Sequence, residues 1–255
     1  MLRVATWNVN SLRVRLPQVL AWLGDVEPDI LAMQETKTQD LDFPAAAFAE
    51  IGYAVVCNGQ KTYNGVAIAS RTPGSILATA LPGYDDTQRR FLAMRFGDVQ
   101  LIDVYVPNGE DVASDKYRYK LEWLAALRDF LARSGTGAKT IVLGDFNIAP
   151  DDRDVHDPAA WQGQVLVSDP ERTALKRLFD TGVQDCFRLF DQPAGLYSWW
   201  DYRAGALHRN HGLRIDLILA SANLAARCRQ CRIDAAPRRW ERPSDHAPVL
   251  AEFDV

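Results

Sequence analysis

Polar and acidic side chains flank several apolar runs of this sequence, at points where strands are expected to begin or end. Glu35 comes directly after one such run, Asp145 follows a second, and His246 precedes the last. A single Asp or Asn at such a position commonly ends a strand or caps a helix, so one residue carries little weight. Their recurrence predicts that these side chains meet at one edge of a sheet. The residues in this pattern are Asn8, Asn10, Glu35, Tyr105, Asn108, Asp145, Asn147, Asp216, Asp245 and His246.

Four of these residues carry the oxygen atoms that hard divalent cations prefer. Glu35 and Asp145 supply carboxylates, and Asn8 and Asn147 supply amide oxygens. Such a set suits Mg²⁺ or Mn²⁺ rather than zinc. We therefore expect a magnesium site near these strand ends, with Mn²⁺ able to substitute.

The pattern also contains an imidazole with acidic candidates for a partner. Asp245 precedes His246 directly, and Asp216 lies at the start of another apolar run. Either carboxylate is suited to orient the imidazole of His246, as carboxylates do in many hydrolases. An oriented imidazole beside carboxylates and a hard metal ion predicts metal-assisted attack on a phosphate.

Short strand-like runs and amphipathic segments must position these side chains. Val and Ile are frequent in the runs, and Gly, Pro and Asn bound them. We expect strands at Leu2–Trp7, Ile30–Gln34, Tyr53–Asn58, Gly65–Ser70, Phe91–Phe96, Val99–Tyr105, Thr140–Gly144, Ile215–Ala220 and Val249–Phe253. We expect helices at Leu16–Leu23, Lys116–Arg133 and Asp169–Thr181. Many strands with interspersed helices predict a layered α/β sandwich in a single domain over residues 1–255.

The composition is that of an ordinary globular protein. Of 255 residues, 47% are hydrophobic and 24% are charged, which excludes disordered, collagen-like and coiled-coil classes. The uninterrupted apolar stretches are too short for a membrane span or a secretory signal, so we expect no membrane association. Four cysteines are too few for a disulfide framework at this length, and we expect reduced thiols and a cytoplasmic protein. The Cys-x-x-Cys pair Cys228 and Cys231 lacks the second pair or the two histidines that a zinc site needs.

The net charge of −4 disfavours DNA binding by bulk charge alone. The charge is unevenly spread, because residues 203–242 hold nine arginines against three acidic residues. A local basic region of this kind can contact phosphates, and its binding should weaken steeply with salt.

Five motifs resemble those of the exonuclease III family of abasic-site endonucleases. They are Thr6–Arg13 (TWNVNSLR), Leu31–Lys37 (LAMQETK), Gly144–Pro150 (GDFNIAP), Gly212–Asp216 (GLRID) and Ser244–Pro248 (SDHAP). The second and fourth motifs, together with Ser198–Arg203 (SWWDYR), narrow the resemblance from the wider endonuclease/exonuclease/phosphatase superfamily to its DNA-repair branch. The resemblance runs from residue 3 to the C-terminus in the family's order.

This resemblance implies a fold and an activity. The fold is a four-layer α/β sandwich of the deoxyribonuclease I-like type, with two facing mixed β-sheets flanked by helices. The activity is hydrolysis of the phosphodiester 5′ to an abasic site, leaving a 3′-hydroxyl, usually with 3′→5′ exonuclease and 3′-end trimming. The expected partner is double-stranded DNA with abasic sites or 3′ ends, and we expect a monomer.

The resemblance also implies roles at the metal. Glu35 looks like the principal magnesium ligand, with Asn8 beside it. Asp145 resembles the residue that orients or deprotonates the attacking water, and Asn147 the one that helps to place that water. The number of metal ions, and whether Asp145 or His246 is the effective base, stay open. The candidate metal ligands are Asn8, Glu35, Asp145, Asn147, Asp245 and His246.

Further roles concern the scissile phosphate. Tyr105, Asn108 and His246 resemble residues that contact it. Asp216 is preferred over Asp245 as the acidic partner of His246. Asp245 resembles either a metal ligand or a residue that contacts the metal ligands.

A pocket for the abasic sugar is implied by the same resemblance. Trp199 aligns with an aromatic wall, and Leu213 and Ile215 align with the other apolar sides. A small apolar pocket accepts a deoxyribose that lacks a base, and extrusion of such a sugar costs least.

The sequence motifs that match DNA-backbone contacts in the family each fit a second interpretation as well. The segment with Lys61, Tyr63 and Asn64 matches a family loop that touches DNA, although a solvated hairpin loop fits it nearly as well. Arg90 fits a phosphate contact and an exposed strand-end charge equally. Asn10 is a further candidate DNA contact. It differs between branches of the family, which leaves the metal preference and the balance of endonuclease and exonuclease activity open.

Two rival functions remain at this point. One is another phosphoesterase of the same superfamily, acting on inositol phosphates, sphingomyelin or RNA, which the motif around Trp199 disfavours. The other is a catalytically silent DNA-binding module, which has no chemical need for Glu35, Asp145, Asn147 and His246 together.

Overall fold

The computed structural model describes residues 1–133 and 137–255, and twelve strands lie in this described part. They are β1 (Leu2–Asn8), β2 (Ile30–Gln34), β3 (Ala54–Asn58), β4 (Val66–Ser70), β5 (Ser75–Ala78), β6 (Phe91–Phe96), β7 (Val99–Tyr105), β8 (Lys139–Asp145), β9 (Val183–Asp185), β10 (Asp216–Ser221), β11 (Cys228–Ile233) and β12 (Val249–Phe253). The helices are α1 (Leu12–Val26), α2 (Ala45–Glu50), α3 (Asp115–Ala132), α4 (Pro158–Trp161), α5 (Asp169–Phe179) and α6 (Ala222–Ala225). Single 3-10 turns occupy Asp40–Asp42, Asp152–Asp154, Cys186–Leu189 and Ala236–Arg239.

The strands form two mixed sheets of six strands each. The first has the order β11-β12-β1-β2-β4-β3, and the second has the order β5-β6-β7-β8-β10-β9. Each sheet holds one parallel pair, β1 with β2 and β7 with β8, and its other pairs are antiparallel. A parallel pair needs a crossover connection, and α1 and α3 supply the two crossovers.

Three apolar layers hold the sheets and helices together. Between the sheets, side chains such as Val4 of β1 and Leu101 of β7 share one buried cluster. Outside the first sheet, Trp22 of α1 belongs to a second cluster. Outside the second sheet, Trp123 of α3 and Leu178 of α5 belong to a third. The order helix, sheet, sheet, helix is the predicted four-layer sandwich, and the predicted fold class is confirmed.

Some element boundaries differ from the sequence prediction for physical reasons. Helix α1 begins at Leu12 instead of Leu16, although it contains Pro17. Pro17 has no N–H to donate to the carbonyl four residues earlier, at Arg13, and both residues lie on the exposed side of the helix. Strands β5, β9 and β11 were not predicted, because β5 is mostly exposed, β9 has three residues, and the edge strand β11 carries two arginines and a glutamine.

The four cysteines are free thiols, as expected. Cys186 looked isolated in the sequence, but the neighbouring thiol of Cys228, followed by burial, raises its pKa well above the ordinary value. Within residues 1–133 and 137–255, every helix is too short or too polar to cross a lipid bilayer.

Candidate active site

The strand register brings the predicted polar residues to one edge of the sandwich. Asn8 ends β1, and Glu35 follows the neighbouring end of the parallel strand β2. In the facing sheet, Asp145 ends β8 and is paired with Tyr105 of β7 and with Asp216 of β10. The residues of the first sheet and those of the second face each other across the interior, because the two sheets pack face to face.

The backbone at this edge adopts conformations that most residues avoid. Gly144 has a φ of 148°, and a Cβ there would lie 1.9 Å from the carbonyl oxygen of Val104, so glycine is required directly before Asp145. Glu35 and Asn147 have φ values of 50° and 51°, in the left-handed region. Strained residues of this kind cluster at functional sites.

Asn8 bridges the two carboxylates that were predicted to bind a metal ion. Its Nδ2 donates to Oε1 of Glu35 and to Oδ2 of Asp145, both at 2.9 Å. Its Oδ1 accepts from the backbone N–H of Asn10 at 2.9 Å, which fixes the amide orientation. Asn8 therefore holds the carboxylates in place, and its role as a metal ligand stays a prediction.

A cluster of three side chains could hold a divalent cation. Ligand atoms of Glu35, Asp145 and His246 all lie within 4.8 Å of one another. Two of the three donors are carboxylate oxygens, so the cluster fits a hard cation better than a soft one.

His246 is buried between two carboxylates. Its Nδ1 lies 2.9 and 3.1 Å from the carboxylate oxygens of Asp216, and its Nε2 lies 3.8 Å from Oδ2 of Asp145. Of the two acidic partners considered from the sequence, Asp216 is the one in contact. The carboxylate of Asp245 accepts instead from Asn10 Nδ2, at 2.9 Å.

These contacts set the protonation of the site. Burial lowers the pKa of His246, but Asp216 and then Asp145 outweigh burial and raise it to about 10. Burial raises the pKa of Asp145 to about 7, against the opposing charge of His246. Burial also raises the pKa of Glu35, but Lys37 and Asn8 outweigh it and hold that pKa below its ordinary value. At neutral pH, Glu35 is thus a carboxylate and Asp145 can gain or lose a proton. His246 is an imidazolium, which has no lone pair for a metal ion until it loses its proton, so its predicted role as a ligand stays a prediction.

Tyr105 faces the same carboxylate from the second sheet. Its hydroxyl donates to Oε1 of Glu35 at 2.9 Å. Burial, followed by the charge of Glu35, raises the Tyr105 pKa well above its ordinary value, so the phenol stays a donor. Arg90 was predicted to contact DNA, but its guanidinium lies 4.5 Å from the centre of the Tyr105 ring and donates to the Tyr105 carbonyl. In this structure Arg90 supports Tyr105, and a DNA contact for it stays a prediction.

Asn108 and Asn147 bind each other through their amides. Nδ2 of Asn108 donates to Oδ1 of Asn147 at 3.0 Å, and Nδ2 of Asn147 donates to the carbonyl of Val106 at 3.0 Å. The backbone N–H of Asn147 donates to Oδ1 of Asp145 at 2.9 Å. Both amides therefore belong to the network around Asp145.

A second group of polar contacts borders the site. Asn10 accepts from Lys37 Nζ at 2.6 Å, and Lys37 also pairs with Oε2 of Glu35 at 2.9 Å. The other carboxylate oxygen of Asp245 accepts from Trp199 Nε1 at 3.0 Å. Asp245 lies outside the cluster of three candidate ligands, so its part in metal binding stays a prediction.

The predicted sugar pocket is an apolar cluster beside His246. The backbone of Trp199 forms isolated antiparallel β-bridges with Leu213 and with His246. Its side chain packs against an apolar cluster that includes Leu213, Ile215 and Leu166. Leu213 is 0% exposed and Ile215 is 1% exposed, whereas Trp199 keeps a partly exposed surface. Of the three predicted walls, only Trp199 is open to a ligand in this structure.

The hairpin loop between β3 and β4 lies at the same edge, because the ends of β2 and β3 flank the start of β4. Lys61 is exposed, and Tyr63 is 68% exposed. Asn64 is buried and donates to the side chains of Gln60 and Gln88, so it shapes the loop. Of the three loop residues predicted to touch DNA, Lys61 and Tyr63 are open to a duplex.

Sequence reasoning did not single out three residues that support the site. Lys37 pairs with Glu35, as described above. Ser244 Oγ donates to the Asn8 carbonyl at 2.7 Å and accepts from the His246 N–H. Ser198 Oγ accepts from the backbone N–H of Asp216 at 3.0 Å. All three lie inside the recognised motifs, and that position was the available signal.

The arginine-rich stretch at 203–242 is only partly available to DNA. Arg214 is 1% exposed and pairs with Asp154 and Asp185. Arg238 is also buried, with its guanidinium against backbone carbonyls. These two charges are therefore used inside the protein, and phosphate contacts by the other arginines of the stretch stay a prediction.

Comparison with known proteins leads to the same family as the motifs. The model of the Endonuclease/Exonuclease/phosphatase family matches residues 5–246. Exodeoxyribonuclease III from Haemophilus influenzae is 35% identical over 266 residues, which cover 99% of this chain and 100% of that protein. The chain belongs to the exodeoxyribonuclease III branch of this family.

Solved structures similar to this exodeoxyribonuclease III homologue agree with the assignment. The 3′ phosphatase NExo from Neisseria, bound to product DNA hairpin, matches with a TM-score of 0.97 and 46% identity over 100% of both chains. An AP endonuclease from Archaeoglobus fulgidus matches with a TM-score of 0.95 and 40% identity, again over 100% of both chains. The resemblance drawn from the motifs is confirmed.

Proposed function

We propose that this exodeoxyribonuclease III homologue is a DNA-repair nuclease that hydrolyses the phosphodiester 5′ to abasic sites in duplex DNA, leaving a 3′-hydroxyl, and that also trims 3′ ends. One observation carries the proposal. Hard oxygen donors, a phenol and an imidazolium form an unbroken line of neighbouring side chains at one edge of the sandwich. In order, these side chains are Tyr105, Glu35, Asn8, Asp145, His246 and Asp216.

A divalent cation completes this arrangement, and we propose Mg²⁺. Glu35 and Asp145 are the residues suited to hold it, because both present carboxylate oxygens within the same small cluster. When bound, such an ion neutralises charge on a phosphate oxygen and makes a bound water more acidic. The hydrogen bonds from Asn8 keep the two carboxylates together for this purpose.

The remaining groups act on the water and on the phosphate. Asp145 accepts the proton of the attacking water, since its pKa is about 7 and its Oδ1 is fixed by the N–H of Asn147. His246 and Tyr105 stabilise the negative charge that builds up on the nonbridging oxygens. Asp216 keeps the imidazole of His246 protonated and oriented.

The exposed part of Trp199 supports the proposed abasic specificity. Its ring can pack against an extruded sugar, and its Nε1 is anchored on Asp245, next to His246 in the chain. A sugar without a base is extruded at least cost.

A second candidate function is 3′-end processing without efficient nicking at abasic sites. The full burial of Leu213 and Ile215 favours it, because the wall behind Trp199 is closed. The similar Neisseria protein with 46% identity is a 3′ phosphatase. A 3′-terminal phosphate can bind at the site without a pocket for an extruded abasic sugar.

The test is a time course on a duplex carrying one tetrahydrofuran abasic analogue, with and without Mg²⁺, beside duplexes with a 3′-phosphate and a 3′-hydroxyl end. We expect a nick 5′ to the analogue before trimming, abolished by EDTA and restored by Mg²⁺. The Asp145→Asn variant serves as the matched control for a contaminating nuclease. Processing of 3′ ends without a nick would favour the second candidate. Absence of turnover on all three duplexes would favour a silent DNA-binding module or another phosphoesterase.

We also propose a cytoplasmic enzyme that acts as a monomer. The free thiols suit a reducing compartment. One chain supplies every residue in the line from Tyr105 to Asp216, so no second copy is needed to complete the site.

A further inference from the structure

A fully buried ion pair lies behind the two active-site asparagines. Lys120 of α3 and Glu171 of α5 are both 0% exposed, and their side chains are in direct contact. Lys120 Nζ also donates to the backbone carbonyl of Asn147 at 2.7 Å and to that of Asn108 at 3.0 Å. The three N–H groups of the ammonium are thus all used.

Glu171 ties the same lysine to two further backbone segments. Its Oε1 accepts from the N–H of Leu166 at 3.0 Å, and its Oε2 accepts from the N–H and the hydroxyl of Ser168. Ser168 and Glu171 form the capping box at the start of α5. Every carboxylate oxygen of Glu171 is therefore satisfied, and the pair anchors α3, α5 and the short segment that leads into α5.

Stability alone does not explain a lysine in this place. A buried ion pair costs much desolvation, and well-packed apolar residues of similar volume often stabilise a protein as well or better. The ammonium reaches the loops that follow β7 and β8, where Asn108 and Asn147 lie. Asn147 has a left-handed backbone, which persists only when its surroundings hold it there.

We infer that Lys120 is a positioning residue of the nuclease reaction. Its ammonium holds the carbonyls of Asn108 and Asn147 and so fixes the two amides against each other and against Asp145. Glu171 supplies the countercharge that keeps the ammonium buried in this position. The inference rests on the proposed function for the reaction that is positioned, and the geometry of the two amides can be followed separately.

The test uses Lys120→Met, which keeps an unbranched side chain as far as Cε and removes the ammonium. The double variant Lys120→Met/Glu171→Gln also removes the carboxylate charge that the single variant leaves unpaired. Leu131→Ala, at the other end of α3, is the matched control for loss of helix packing. Rates are measured on the abasic-analogue duplex well below each melting temperature. Side-chain amide NMR signals of Asn108 and Asn147 are recorded for each protein.

For Lys120→Met we expect kcat to fall about 10- to 100-fold with KM changed less than about twofold, because placement is lost and substrate binding is kept. Both amide signals should shift or broaden. The double variant should regain thermal stability without regaining kcat, and Leu131→Ala should keep kcat and both signals. Recovery of kcat in the double variant, or unchanged amide signals in Lys120→Met, would overturn the inference. If the wild-type protein cleaves no duplex, the proposed function fails, while the NMR comparison still decides the positioning role.

Discussion

The replacement Asp216→Asn tests how the site keeps His246 charged. The two side chains are both buried, with Nδ1 of His246 2.9 Å from Oδ2 of Asp216. Asparagine keeps the shape of the carboxylate and removes its charge. We expect the folded protein to persist and the imidazole to lose its proton at neutral pH.

The size of the effect follows from the distance. Two unit charges 2.9 Å apart interact by about 6 kcal/mol at an effective dielectric constant of about 20. The rise of the His246 pKa from 6.5 to about 10 corresponds to about 5 kcal/mol, so Asp216 alone is large enough to cause it. Without Asp216, burial lowers the pKa of His246 against only the weaker contributions of Asp145 and Asp245, so we expect that pKa to fall to about its ordinary value. At pH 7.5 the charged fraction would then be about one tenth or less.

The assay is the ratio of variant to wild-type kcat on the abasic-analogue duplex at several pH values. We expect a ratio of about 0.1 or lower at pH 7.5 that recovers as pH falls toward about 6, since protonation restores the imidazolium. A ¹⁵N NMR titration of His246 measures its pKa directly. Asp245→Asn is the matched control, because it removes a nearby charge that makes no hydrogen bond to the ring, and its ratio should vary little with pH. A His246 pKa that stays near 10 in Asp216→Asn, or a ratio that does not depend on pH, would refute this reasoning.

Three other outcomes are expected. Glu35→Ala should lower kcat by about 10²-fold or more and abolish tight Mn²⁺ binding by calorimetry, since one strong electrostatic contact is worth that much; near-normal cleavage would contradict the assignment. The affinity of the wild type for Mn²⁺ should rise from pH 6 to pH 8. Asp145 has a pKa of about 7 and must lose its proton to bind the ion. The Asp145→Asn variant should not show this pH dependence. Without metal, the free energy of unfolding measured by chemical denaturation should fall as pH rises from about 7 to about 10. The reason is that the folded-state pKa of His246 is raised, so its stabilising proton is lost over that range. If a His246→Gln variant showed the same decline, His246 would not be the cause of the pH dependence.

Much of the fold was predictable from local patterns. The central strands are nearly continuous apolar runs because both of their faces are covered, as the fully buried β2 and β4 illustrate. Three of the four edge strands, β5, β9 and β11, escaped prediction because an edge strand needs no such run. In β11, two arginines and a glutamine interrupt the apolar residues. Helix α1 begins at Leu12 and contains Pro17, a residue that usually stands at the first position of a helix, so its first turn was not predicted.

The site was predictable as a set of residue types, and its contacts were not. Strand ends drew attention to Glu35, Asp145 and His246, which meet as expected at one edge. Whether Asp216 or Asp245 touches the imidazole depends on the pairing of β8 with β10, which brings Asp216 opposite Asp145.

Two basic residues show the limit of reading charge from sequence. Arg90 was considered either a phosphate contact or an exposed strand-end charge, and Arg214 was counted in the arginine-rich stretch at 203–242. The first lies on the ring of Tyr105, and the second is buried in ion pairs with two aspartates. The sequence does not reveal which side chain a charged residue contacts when that side chain is distant along the chain.

The central claim is that this chain catalyses attack of water on a DNA phosphodiester. Single-turnover cleavage of the abasic-analogue duplex in H₂¹⁸O, with mass spectrometry of both fragments, tests it most directly. We predict one ¹⁸O atom in the 5′-phosphate at the nick and none at the new 3′-hydroxyl, because water attacks phosphorus and the 3′ oxygen leaves. A 5′-phosphate without the label, or a label at the 3′ end, would contradict the claim.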